Sequence, residues 1–210
     1  MSTSARTERL ALCDLFDQVG PDAPTLCGDW TTRDLAAHLV VRERRPDAAI
    51  GIVASALASY GEKVRADQAL APFADTVRLV RNGPPIWSPM RIGAVDALAN
   101  TVEYFVHHED VRRGSDPWQP REMSPQLDED LGKALGRMAK MMTRKAPCGI
   151  VIAPDGGERK VVKDGEPSVV LRGPVGELIL FLFGRQAHSH VEIDGPDDLA
   201  EAVRTASFGI

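Results

Sequence analysis

The sequence predicts a mostly α-helical protein, with a helical bundle over residues 1–145 followed by a small α+β unit over residues 146–210. Three observations carry this expectation. Through the first two thirds of the chain, apolar residues recur at helical spacing between capping and breaking signals. From residue 149 short β-rich runs separated by Asp-Gly turns replace that pattern. With 43% hydrophobic and 26% charged residues among 210, the chain can bury one good core and a smaller satellite.

Leu10, Leu12, Leu15 and Phe16 mark a first helix from Ser4 to about Val19, stopped by Gly20-Pro21. A second runs from Thr31, its expected N-cap, toward Pro46, with Asp34 three residues on as the capping-box partner. Residues 47–82 are alanine-rich and helix-prone. Gly51 and Gly61 are the expected breaks and Asn82-Gly83-Pro84-Pro85 a firm stop, so one long helix or two shorter ones both fit. The proline-free stretch from about Ile92 to Arg113 predicts a helix with Gly114 as its C-terminal cap. Ser124-Pro125 open another through about Thr143, with Leu127, Leu131, Leu135 and Met138 on one stripe.

Beyond it, GIVIAP, RKVVK and PSVVLR read as a meander of strands turned at Asp155-Gly156-Gly157 and Asp164-Gly165. A short apolar helix, about Val175 to Phe183, precedes Gly184-Arg185. The segment AHSHVEI then reads as a strand running into Asp194-Gly195-Pro196 and a terminal amphipathic helix. On such a strand His188 and His190 would share one face with Glu192, as a polar solvent face or a minor metal site.

A net charge of -5 argues against a nucleic-acid partner. The N-terminal segment lacks the apolar region of a secretory signal, and no apolar run nears the roughly 20 residues of a membrane span. A cytoplasmic protein without membrane association is expected. Cys13, Cys27 and Cys148 are odd in number and lack a C-x-x-C pair, so they read as free thiols in a reducing compartment.

Chemistry concentrates in two helices. Glu103 and His107 are four apart, so on a helix they project from one face about 40° offset, near enough to share an ion. His38 sits in the apolar run Leu35, Ala36, Ala37, Leu39, Val40, where an unpaired imidazole would be costly to bury. Two histidines and one carboxylate from two helices would leave coordination positions open, the arrangement of catalytic rather than structural zinc. His108 points about 100° away from His107 around the helix and cannot easily share that ion. Asp110 reads either as a carboxylate that orients a metal-binding side chain or as an exposed aspartate. The run Arg42 to Arg45 reads as a solvated helix end, with steering of an anionic substrate as the alternative.

The patterns WTTRDLAAHL, from Trp30 to Leu39, and NTVEYFVHHEDVRR, from Asn100 to Arg113, resemble the mycothiol-dependent maleylpyruvate isomerase family within the DinB-like metal-binding superfamily. The resemblance covers residues 5–115 strongly and the remainder weakly. It implies a DinB-like four-helix bundle that binds one divalent ion, usually zinc, at the positions of His38, Glu103 and His107. It also implies a C-terminal α/β domain in which a basic residue holds the thiol cofactor or an acidic substrate, for which Arg185 is the candidate, with a solvated surface arginine as the alternative. By this resemblance the C-terminal unit is expected to be shorter than in the isomerase proper.

The function expected from this is metal-dependent activation of a thiol, with mycothiol as cosubstrate, for transfer to or isomerisation of a small electrophile. A non-catalytic metal-binding protein (storage, sensing or structural) and a metal-dependent hydrolase are the alternatives. No cysteine lies within either motif, so the reactive thiol is expected to come from outside. Cys27, in the turn before the second helix, is the exception. Homodimerisation is left open.

Overall fold

The structure, a computed structural model, describes residues 3–48, 58–88 and 94–208. These fall into two compact units, Met1–Gln119 and Pro120–Ile210. Mostly helical structure is confirmed, together with a small sheet confined to the second unit.

Among the described residues of the first unit the helices are α1 (Thr3–Val19), α2 (Thr32–Arg44), α3 (Ala58–Ala69), α4 (Phe73–Asn82) and α5 (Ala94–Arg112). Helix α1 lies along α5, α2 along α3, and both α1 and α2 pack on α4. Their apolar stripes meet in one core: Leu12 and Phe16 from α1, Leu35 and Leu39 from α2, Val77 and Val80 from α4, Tyr104 and Val111 from α5. Each such large side chain removed from water contributes about 1.5–3 kcal/mol before the entropy of ordering is set against it.

The α2 start carries the expected capping box of Thr31 and Asp34. The Asp34 carboxylate accepts from the Thr31 N–H at 3.0 Å and from the Thr31 hydroxyl at 2.8 Å. Gly61 does not break the chain but lies inside α3; the interruption comes at Leu70-Ala71-Pro72, because Pro72 lacks the N–H that would extend α3 and instead precedes the first turn of α4. Gly51 lies outside the described residues. Gly114 is not a left-handed cap either. A Cβ there would stand 2.2 Å from the Pro24 carbonyl oxygen, so a glycine is required for the 24–27 loop to lie against the end of α5.

One polar network ties this core together. Arg9 of α1 donates to Glu43 of α2 and, at 3.1 Å, to the Val80 carbonyl of α4, while the Tyr104 hydroxyl of α5 donates to the same Glu43 carboxylate. The Arg9 guanidinium lies 4.5 Å from the Tyr104 ring centroid, and all three side chains are buried. Burial pushes the Glu43 carboxyl above its usual pKa despite the arginine.

The second unit comprises α6 (Pro125–Met142), β1 (Gly149–Pro154), β2 (Lys160–Lys163), β3 (Ser168–Gly173), α7 (Val175–Leu182), β4 (Glu192–Asp194) and α8 (Asp197–Arg204). Helix α6 belongs to this compact unit: it packs on α7 and β2, and its stripe Leu127, Leu131 and Leu135 is buried there. Ser124 caps α6 by accepting from the Leu127 N–H at 3.2 Å, with Pro125 in the first turn as expected.

The sheet order is β2-β1-β3-β4, with β1 and β3 parallel and the outer pairs antiparallel. This is not the expected meander. The chain leaving β2 crosses the start of β1 and lays β3 on its far side, a crossing that needs Gly149, where a Cβ would stand 2.1 Å from the Gly165 carbonyl oxygen. Residues Gln186–His188 form a 3-10 turn and β4 begins only at Glu192, so His188 and His190 do not alternate along a strand with Glu192. The His190 N–H instead donates to Glu177 at 2.7 Å. Among the described residues no helix is long and apolar enough to cross a membrane.

Candidate metal centre

Helices α2 and α5 bring three of the expected residues to one point in the first unit. Nε2 of His38 lies 3.4 Å from Oε1 of Glu103, and Nε2 of His107 lies 3.3 Å from the same oxygen. The two rings stand edge to face with centroids 5.3 Å apart. All three donor atoms lie within 4.8 Å of one another, a spacing that a single ion can gather. The side chains remain 12–23% exposed, which leaves the cluster accessible from solvent.

The supporting groups are more extensive than the sequence suggested. Asp110 is fully buried rather than exposed, and its Oδ2 lies 2.9 Å from Nδ1 of His107. With one ring nitrogen held there, the other is directed at Glu103, the orientation carboxylates give to metal-binding histidines. Trp30 packs against His38 with ring centroids 5.3 Å apart, and the Arg65 guanidinium lies over the Trp30 ring, 4.7 Å from its centroid. Arg42 places Nε 3.2 Å from Oε1 of Glu103 and donates through Nη1 to Asn100 at 2.7 Å.

Arg42, Asn100 and Trp30 were missed as site residues. The signal was spacing: Arg42 follows His38 by four, and Asn100 precedes Glu103 by three, so each lies on the ligand-bearing face of its helix. The run Arg42 to Arg45 is accordingly not a solvated helix end. Arg42 enters the cluster, Glu43 is buried, and Arg44 donates to the Leu79 and Gly83 carbonyls, at 3.3 and 2.9 Å; only Arg45 is exposed.

Charge is balanced locally. Burial disfavours ionised Glu103, but the Arg42 guanidinium and hydrogen bonds from His107 and His38 outweigh it and hold the carboxyl well below its usual range. Burial holds His38 below its usual pKa, which favours the neutral ring that a metal ligand requires. Burial acts the same way on His107, but its bonds to Asp110, Cys27 and Glu103 prevail and raise it well above the ordinary value. An anionic centre that gathers positive charge from two sides, with two imidazole nitrogens and one carboxylate oxygen converging, fits a borderline divalent cation.

His108 points elsewhere, as its helical position implies. Its Nδ1 lies 3.1 Å from Glu8 of α1. Cys27 does come to the cluster, with Sγ 3.0 Å from Oδ2 of Asp110 and 3.8 Å from Nδ1 of His107. No sequence spacing announced this, since 80 residues separate Cys27 from His107. Cys13 and Cys148 are buried and free, as expected. Arg185 belongs to the second unit, where its guanidinium donates to the Phe183 carbonyl.

No protein-family model and no curated protein sequence matches the chain. Among solved structures, the chain is similar to a mycothiol-dependent maleylpyruvate isomerase, with a TM-score of 0.62, 15% identity and 93% of each chain covered. A histidine-to-alanine mutant of a mycothiol-dependent maleylpyruvate isomerase matches at a TM-score of 0.61 and 14% identity over the same share of each chain. At such identity the likeness is one of fold.

Proposed function

We propose that this protein is a divalent-metal-dependent enzyme, with zinc as the ion, that uses mycothiol as a cosubstrate to transfer to or isomerise a small electrophile. The observation that carries the reading is the convergence of His38, Glu103 and His107 on one point, in a chain whose fold resembles mycothiol-dependent isomerases over 93% of its length. His38, Glu103 and His107 would hold the ion. Bound there, a divalent cation would lower the pKa of a thiol that reaches it, so that thiolate is present near neutral pH.

The chain's own residues do the rest. Asp110 fixes the His107 ring, and Arg42 restrains the Glu103 carboxylate. Trp30 packs against the His38 ring. Arg185 is the proposed contact for an anionic group of the thiol or the substrate.

The experiment is metal analysis of protein purified without chelator, followed by a thermal-shift and activity screen with mycothiol and a panel of electrophiles. The expected result is about one zinc ion per chain, a stability gain from mycothiol only when the metal is present, and ion affinity lost in His38→Ala, Glu103→Ala and His107→Ala but kept in His108→Ala. Metal binding without any response to thiols would leave the non-catalytic reading. Activity that vanishes in Cys27→Ser while metal content stays normal would make the enzyme cysteine-dependent instead.

A further inference from the structure

The His107 ring has a different set of neighbours on each side. Nε2 faces Glu103 and His38, whereas Nδ1 faces a carboxylate and a thiol. On that second side Nδ1 of His107, Oδ2 of Asp110 and Sγ of Cys27 form a triangle with edges of 2.9, 3.0 and 3.8 Å. All three donor atoms lie within 4.8 Å of one another, near enough for a single ion to gather them.

The thiol is held in place by a built loop. The Leu26 N–H donates to the Asp110 carbonyl at 3.1 Å, the Thr25 hydroxyl donates to the Trp30 carbonyl at 2.7 Å, and the Cys27 N–H donates to the Thr25 hydroxyl at 3.2 Å. Gly28, with φ +63°, turns the chain immediately after Cys27, and Gly114 lets Pro24 pack on the end of α5. Cys27 is therefore presented to α5 by backbone contacts on both sides of it.

We propose that Cys27, His107 and Asp110 form a second cation site, suited to a thiophilic d10 ion, which competes with the His38/Glu103 side for the His107 ring. The donor chemistry sets the selectivity: a thiolate is the softest ligand the first unit offers at this cluster, while the other side provides only nitrogen and carboxylate oxygen. A neutral imidazole has one nitrogen lone pair, so an ion bound at Nδ1 leaves the ring proton on Nε2, where Glu103 accepts it. Binding displaces the Cys27 thiol proton and the Nδ1 proton of His107 to solvent and forms the sulfur–metal and nitrogen–metal bonds in their place. Capture of the ring from this side removes one of the three residues on which the proposed function rests, so a soft ion acts there as an inhibitor.

Cadmium tests this directly, through the ultraviolet charge-transfer absorption of a cadmium–thiolate bond and through nitrogen NMR of the imidazoles. Metal-free protein titrated with cadmium is expected to develop the thiolate band with about one ion per chain. The band should persist in His38→Ala, which disables the other side alone, and be lost in Cys27→Ser, which removes the sulfur that produces it. Cadmium should be bonded to Nδ1 of His107. Absence of the band in both wild type and His38→Ala, its persistence in Cys27→Ser, or bonding through Nε2 would each overturn the proposal. A band present in a protein that binds neither zinc at His38 nor mycothiol would sustain this inference while the proposed function fell.

Discussion

Oδ2 of Asp110 is shared: it lies 2.9 Å from Nδ1 of His107 and 3.0 Å from the sulfur of Cys27, so one buried carboxylate sets both the ring and the thiol. Loss of its charge leaves the ring without an orienting anion. Asp110→Asn should weaken zinc affinity about 10–100-fold while the fold is retained, measured by competition with a chromogenic chelator. Unchanged affinity would show that Asp110 plays no part in holding the ion.

The Arg9–Glu43–Tyr104 network makes a sharp stability prediction. Removing one partner of a buried ion pair strands the other, so Arg9→Met should cost about 3–5 kcal/mol in urea unfolding. Tyr104→Phe removes one hydrogen bond to the carboxylate and should cost about 1–3 kcal/mol. A double variant, Arg9→Met with Glu43→Leu, should recover part of the loss. Equal stability of the single and double variants would contradict the pairing.

Asp34 links the start of α2 to pH. Burial raises its pKa, but bonds from Thr31 and Arg65 prevail and hold it below the ordinary 3.8. A carboxyl lowered by folding contributes stability that is present above its unfolded pKa and is lost as pH falls through the folded one. Asp34→Asn should therefore lower stability by about 0.5–1 kcal/mol at neutral pH and flatten the decline below the unfolded value. Parallel stability curves for the two proteins across the acid range would rule this out.

Gly114 is open to a simple steric test. An added methyl meets the Pro24 carbonyl at 2.2 Å, so Gly114→Ala should displace the loop that carries Cys27 and cost about 1–3 kcal/mol. Faster alkylation of Cys27 by iodoacetamide is the accompanying readout, with Cys13 as the internal control. Burial pushes the Cys13 thiol up to about 12, and it should stay unlabelled until the protein unfolds. Wild-type stability and labelling in Gly114→Ala would show that the close approach is not required.

What the sequence determined by itself was local. Thr31 with Asp34, Ser124 with Pro125 and the Pro46 and Gly20-Pro21 stops act within a few residues, so the starts and ends of most helices were legible. The pairing of Glu103 with His107 was legible for the same reason, because four residues on a helix define a common face. His38 was the expected third partner because an unpaired imidazole in its apolar run would be costly to bury, and the fold brings its Nε2 to 3.4 Å from Glu103. Tertiary structure decided the rest. The parallel placement of β3 beside β1 depends on two glycine backbones passing at contact distance, which no turn signal encodes. The allegiance of α6 to the sheet depends on which surface its leucine stripe meets, and periodicity shows only that a stripe exists. The Arg9–Glu43–Tyr104 network and the approach of Cys27 to His107 join residues 34 to 95 positions apart, counting from the numbering of each pair. Such contacts arise only when packing closes the intervening chain, since a side chain's partner across a core is chosen by the geometry of both elements and not by either one alone.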